Sequence, residues 1–141
     1  MKALTLWQPW ATMVALGVKK IETRSWPTSY RGPLAIHAAK KSPREALELA
    51  FEPPFRQCLE AAGYDVKELP SGVIVAICDL ADCVQITPNN MPAREGLLGD
   101  YTPGRYAWYL ANVRRVHPPL PARGRQGLWD WPQGDEPLHT I

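Results

Sequence analysis

The sequence predicts an α+β fold, a mixed and partly closed β-barrel of five to six short strands with flanking helices. Three observations carry this reading. Fifteen prolines and ten glycines in 141 residues cut the chain into short elements joined by turns, which argues against a helical bundle. Val73-Ile74-Val75-Ala76-Ile77 is apolar without interruption, as expected of a central strand buried on both faces. Short helical signals with recognisable starts and stops lie between the strand-like runs.

The chain opens with a strand at Ala3-Leu4-Thr5-Leu6. Pro9 suits the first position of a helix, where its missing N–H costs nothing. Trp10, Met13 and Val14 recur at i, i+3 and i+4 and give that helix one apolar face. Trp7 and Trp10 read either as core or as flat faces lining a cleft. Gly17 ends the helix, because glycine takes the left-handed conformation without a Cβ penalty. A strand follows through Ile21, Thr23 and Trp26, which are β-branched or aromatic. After a turn, Pro33 to Ala38 alternates Leu34, Ile36 and Ala38 against a second face that holds His37. Ser42-Pro43-Arg44-Glu45 reads as a capping box, with serine at the N-cap and glutamate three positions on. The helix it starts is broken by Pro53-Pro54. A second helix runs from Phe55 to Ala62 and stops at Gly63. This insert is expected to pack through Leu47, Leu49, Phe55, Cys58 and Leu59. The buried strand continues from Val73 to Val84. Asp79 and Asp82 are three apart on it and point to opposite faces, with Asp79 the better partner for a basic residue. Residues 86–104 are loop-like, a candidate rim or lid. Arg105 resumes a strand that Pro118-Pro119 is expected to end, and Leu128 to Pro132 docks two tryptophans on the barrel. The domain spans 1–132, and 133–141 is expected to be a disordered tail.

The charge is small in sum and uneven in place. Net charge is +2. Residues 1–44 hold eight Lys or Arg against the single acid Glu22, whereas 45–100 hold three basic residues against ten acids. A basic face of this kind fits a site that meets a few phosphates or one nucleotide. It is not the balance of a high-affinity duplex binder. Cys58, Cys78 and Cys83 are odd in number and lack C-x-x-C spacing, which suits small core residues in a reducing, cytoplasmic compartment. No apolar run approaches a membrane span, and Gln8-Pro9 interrupts the N-terminal apolar stretch, so neither a membrane segment nor a signal peptide is expected. The three histidines are scattered, and no metal or cofactor is expected.

Gly17-Val18-Lys19-Lys20-Ile21-Glu22-Thr23-Arg24-Ser25-Trp26 is the densest cluster of charge. On a regular strand Lys20, Glu22 and Arg24 share a face, and a carboxylate between cations stays ionised and can orient them. Spacing alone fits a solvated edge strand equally well. Gly17-x-Lys19-x-x-Glu22-x-Arg24, however, resembles the GxKxxExR signature of the ASCH (activating signal cointegrator homology) domain family of the PUA-like superfamily. Trp7-Gln8-Pro9-Trp10-Ala11, Arg24-Ser25-Trp26 with Tyr30-Arg31-Gly32-Pro33-Leu34, Ser71 to Cys83, and Gly124 to Trp129 resemble further segments of that family, in the family's order.

The resemblance implies a PUA-like pseudo-barrel with a cleft between the barrel and its first helices, lined by Lys19, Glu22 and Arg24. Lys20, Trp26, Lys40 and Lys41 join them by position. His37, beside Lys40 and Lys41, reads either as a structural residue or as a phosphate donor or proton-transfer group. Three functions follow from the resemblance. The first is an RNA- or nucleotide-binding module that holds single-stranded nucleic acid or a modified base. The second is a small hydrolase with Lys19 and Glu22 in catalytic roles, either an acylated-cytidine amidohydrolase or a single-strand ribonuclease. For the amidohydrolase, the family's threonine position carries Glu22, and Thr23 is one place on and therefore expected on the other strand face. The third is a protein-interaction module.

Overall fold

The computed structural model describes residues 1–90, 98–132 and 138–141. Six strands form one curled sheet: β1 (Lys2–Leu6), β2 (Ile21–Arg24), β3 (Gly32–Ala38), β4 (Val73–Gln85), β5 (Tyr106–Pro121) and β6 (Leu128–Asp130). Their order is β2-β5-β4-β3-β1-β6. β1 and β3 run parallel, and the other neighbouring pairs are antiparallel. Among the described residues three α-helices accompany them, α1 (Trp10–Ala15), α2 (Arg44–Glu48) and α3 (Phe55–Ala61), with a 3-10 turn at Leu49–Phe51. The architecture is the α+β half-barrel expected from the sequence.

α1 lies against one face of the sheet. Its Ala11, Val14 and Ala15 join Leu4, Leu6, Leu34, Ile36, Ala76, Leu80 and Trp108 in the main core. The other face holds a second cluster of Ala3, Ala35, Ile74, Ile77, Val116, Trp129 and Trp131. β4 therefore has apolar partners on both sides, which explains its uninterrupted apolar run. Met13 on α1 meets Ala50, Phe55, Leu59 and Leu98, tying the helical insert to the domain. Leu47 does not help there: it is exposed, because it falls on the outer side of the short α2.

Two local expectations are corrected. The capping box at Ser42 does not form. Pro43 occupies the N-cap of α2 without a side-chain bond, and the Ser42 hydroxyl instead accepts a hydrogen bond from the Gln8 N–H at 2.9 Å. Pro118-Pro119 does not end β5, which continues to Pro121. The register against β4 slips there, with Arg115 opposite Ala76 and Leu120 opposite Ile74. The prolines sit in this bulge, where no ladder N–H is required. Residues 138–141 lie beside β5: the Arg115 and Ile141 backbones exchange two hydrogen bonds, and His117 N–H donates to the His139 carbonyl. Residues 133–137 lie outside the described residues, as do 91–97 of the expected rim loop.

Gly17 behaves as expected. Its φ is +75°. The Val18 N–H donates to the Met13 carbonyl and the Gly17 N–H to the Val14 carbonyl, the paired bonds of a Schellman stop. That stop directs the chain from α1 straight into the charged stretch.

Candidate functional site

A half-barrel leaves an open seam, and here the seam holds a cleft of about 690 Å³. One side is β2 with Glu22, Thr23, Arg24 and the following Ser25 and Trp26. The other is β1 with Thr5 and Leu6, continued by Trp7 and Trp10 and by the Arg125-Gln126-Gly127 segment ahead of β6. Lys19, Gly99, Asp100 and Arg105 complete the described lining. Arg24 joins the two sides: its Nη2 donates to the Thr5 carbonyl at 2.7 Å and pairs with Glu22 Oε2 at 3.1 Å.

Lys19 is buried completely. Its Nζ donates to the Leu98 carbonyl at 2.7 Å and lies 3.8 Å from Glu22 Oε1. Glu22 Oε1 also accepts from the Thr23 N–H at 3.1 Å. The carboxylate is thus fixed between a lysine, a guanidinium and an amide. The Arg24 Nε is buried and has no hydrogen-bond partner among the described residues. A buried donor left unpaired is costly, and this one belongs to a cleft-lining side chain.

The aromatic wall is graded. Trp26 meets Trp108 edge to face at a centroid distance of 4.9 Å, and Trp108 Nε1 donates to the Trp26 carbonyl. Trp10 is partly buried against the core. Trp7 is 53 % exposed. Four cationic side chains (Lys19, Arg24, Arg105, Arg125) face two acidic ones (Glu22, Asp100) in the lining. Arg105 is already engaged, with the Thr23 carbonyl and with Asp100. The Asp100 carboxyl sits below its ordinary value, chiefly because the Thr102 hydroxyl and then its N–H donate to it.

The structure therefore gathers Lys19, Glu22, Arg24 and Trp26 of the expected residues, and leaves four outside the described lining. Lys20 is exposed just ahead of β2, so it does not share the working face with Glu22 and Arg24. Lys40 and Lys41 are exposed beyond β3. His37 is buried elsewhere. Its Nε2–H donates to the Ala122 carbonyl at 2.7 Å, which leaves Nδ1 to accept from the Thr5 hydroxyl at 3.1 Å. Trp129 stands edge-on to the ring and donates through Nε1 to the same hydroxyl. Burial pulls the His37 pKa down, opposed by the Ala122 hydrogen bond. Asp79 pairs with neither signature cation: it accepts from Asn112 Nδ2, while Asp82 meets Arg31 at 3.5 Å.

Thr23 is also a correction. It lines the cleft rather than facing away. A Cβ on Gly99 would lie 3.1 Å from Lys19 Nζ and 3.6 Å from Thr23 Oγ1, so both groups close on the Gly99 backbone. Burial does alternate along β2, with Ile21 and Thr23 buried and Glu22 and Arg24 half-buried, but Thr23 still reaches the cleft on the Gly99 side. Sequence reasoning also passed over Thr5, Arg105 and Arg125 as site residues. The Arg123-Gly124-Arg125 turn was a visible basic signal, but nothing local tied it to β2. Among the described residues no group of His, Cys, Asp and Glu could hold a metal ion. Burial pushes the Cys78 thiol up to about 12, so it is no nucleophile.

Comparison with known proteins agrees with the fold and the signature. The ASCH domain family model matches residues 4–120. Activating signal cointegrator 1 of Homo sapiens and of Mus musculus are each 29 % identical to this chain over 131 residues, covering 89 % of it and 21 % of their own length. The chain thus spans about a fifth of these curated relatives. A crystal structure of a mutant ZmASCH from Zymomonas mobilis superposes with a TM-score of 0.56 at 17 % identity, over 94 % of this chain and 89 % of that one, which supports the PUA-like half-barrel as a fold. With the family model covering most of its length, this chain belongs to the ASCH domain family.

Proposed function

We propose that this protein is an RNA- or nucleotide-binding module that holds a single-stranded nucleic acid, or one base of it, in the seam cleft. The observation that carries the reading is the joint lining of one cleft by Arg24 and Arg125 with Trp7, Trp10 and Trp26. Cations meet phosphate and aromatic faces stack bases, and single strands offer unstacked bases for both. Glu22, held by Lys19 and Arg24, presents a carboxylate that accepts from a base amino group. Three free cysteines suit a reducing, cytoplasmic setting.

A second reading is favoured by one observation, the convergence of Thr23 Oγ1 and Lys19 Nζ on Gly99. It makes the cleft a hydrolase site for an acylated nucleoside, with the Thr23 hydroxyl as nucleophile. Such a hydroxyl needs a nearby base, and Glu22 and Lys19 are the ionisable groups beside it.

One incubation separates the two. The protein is mixed with short single-stranded RNA and with acylated and free nucleosides, then products are read by mass spectrometry and retention by a low-salt binding assay. Retained, intact RNA supports the binding module. Deacylated product with the wild type and none with Thr23→Val supports the hydrolase. If neither appears, the interaction-module reading moves to first place.

A further inference from the structure

Trp7 is an aromatic at the cleft whose ring is mostly open, 53 % exposed, yet its backbone is held firmly. Its carbonyl accepts the Ala11 N–H at the start of α1. The next residue, Gln8, is 2 % exposed and anchored in three directions. Gln8 N–H donates to the Ser42 hydroxyl. Its side-chain amide donates to the Thr12 hydroxyl and the Pro70 carbonyl, and its side-chain oxygen accepts the Thr12 N–H. A rigidly mounted indole that lines a cleft and stays open to solvent offers a ready face on which a base can stack. Trp10 and Trp26, by contrast, are partly buried against the core.

The cleft has a matching division of polar groups. Lys19, Glu22 and Arg24 are deep and mutually paired, and the Arg24 Nε is buried without a partner among the described residues. Arg125 is exposed and no ion pair engages it among the described residues. Deep groups that pair with each other suit the polar edge of a base. An exposed guanidinium and an exposed indole that line the same cleft suit a phosphate followed by a second stacked base.

We infer that the cleft has two subsites, an inner one at Glu22 and Arg24 for one base and an outer one in which Trp7 stacks the adjacent base, with Arg125 meeting the phosphate between them. The ligand is then a single-stranded oligonucleotide of at least two residues rather than a free nucleoside. The occupant is argued from charge complementarity at Arg125, and the inference rests on the nucleic-acid reading of the cleft.

The test compares nucleoside 5′-monophosphates with 5′-phosphorylated diribonucleotides of A, C, G and U, by calorimetry and by quenching of indole fluorescence. The proteins are wild type, Trp7→Ala, Trp7→Phe and Arg24→Gln, each checked for an unchanged fold by circular dichroism. The expected result is a dinucleotide that binds wild type about 5- to 150-fold more tightly than its mononucleotide, the range of one stacked base. Trp7→Ala should erase that gain, so that dinucleotide affinity falls far more than mononucleotide affinity and the two become equal. Trp7→Phe should keep most of the gain but lose the extra quenching. Equal affinity for mono- and dinucleotide, indifferent to Trp7→Ala while Arg24→Gln weakens both, would overturn the outer subsite and leave the inner one standing. No saturable binding of either ligand by the wild type would overturn the cleft reading and this inference with it.

Discussion

Lys19 is buried completely, and its charge is balanced by Glu22 and the Leu98 carbonyl. Removing one partner of a buried pair strands the other. Lys19→Ala should therefore destabilise the fold by about 3–5 kcal/mol, read as a shift of the urea midpoint. Lys19→Met, which keeps the stem and drops the charge, should cost less. Equal stability of Lys19→Ala and wild type would make Lys19 a purely functional cation. Loss of ligand in Lys19→Ala is consequently ambiguous, and Arg125 and Trp7, which are exposed, are the informative positions for binding. His37 was drawn toward the cleft by its neighbours Lys40 and Lys41, but a strand face is not a cleft wall. The residue that decides its place is distant: Gly124, where a Cβ would sit 2.6 Å from His37 Cε1 and 2.9 Å from Thr5 Oγ1. Gly124→Ala should thus destabilise by about 1–3 kcal/mol, the usual cost of overpacking, read as a lower melting temperature. Because burial depresses the folded-state pKa of His37, its neutral form stabilises the fold above the unfolded value of about 6.5. That contribution is lost as pH falls from there through the folded-state pKa. His37→Gln should flatten the fall in melting temperature across this window, and an undiminished slope would assign it to other groups.

At the level of elements, the short strands and the buried β4 were legible because their signals are local: alternation, uninterrupted apolar runs and glycine stops. The Gly17 stop is an example, and it matters because it aims the chain from α1 into Lys19. Gly17→Ala puts a Cβ on a residue at φ +75° and should cost about 1–2 kcal/mol, measured by denaturant unfolding, although open space surrounds the position. The failures were non-local. Ser42 has the chemistry of a cap, but the Gln8 N–H took its hydroxyl. Pro118-Pro119 has the chemistry of a strand end, but a bulge opposite β4 absorbs both prolines. In each case a partner more than thirty residues away settled the outcome, and no window of sequence contains it.

The whole molecule shows why half of the site was readable. The side contributed by β2 is one contiguous signature, so Lys19, Glu22, Arg24 and Trp26 came together as expected. The other side is assembled from Thr5, Trp7 and the Arg125-Gln126-Gly127 segment, which only the parallel pairing of β1 with β3 and the antiparallel pairing of β1 with β6 bring to the seam. The basic bias of the first 44 residues likewise spreads over two surfaces, since Lys20, Lys40 and Lys41 stand outside the described lining. Few cations remain to meet phosphate, so affinity for single strands should fall only gently with salt. Arg125→Ala should lower the slope of log K against log salt by about 0.7, one phosphate contact on a single strand. An unchanged slope would place the phosphate elsewhere.

The most direct measurement needs no variant beyond those that assign the signals. The chain has six tryptophans, and their indole N–H groups give separate signals in a ¹H–¹⁵N spectrum. Three line the cleft, at 7, 10 and 26, while Trp129 and Trp131 pack on the opposite sheet face. On titration with a short single-stranded RNA, the signals of Trp7, Trp10 and Trp26 should move together and saturate, and that of Trp131 should stay in place, whereas Trp129 is no control because its Nε1 donates to the cleft-lining Thr5. Movement confined to Trp131, or a spectrum unchanged at saturating RNA, would contradict a nucleic-acid site in the seam.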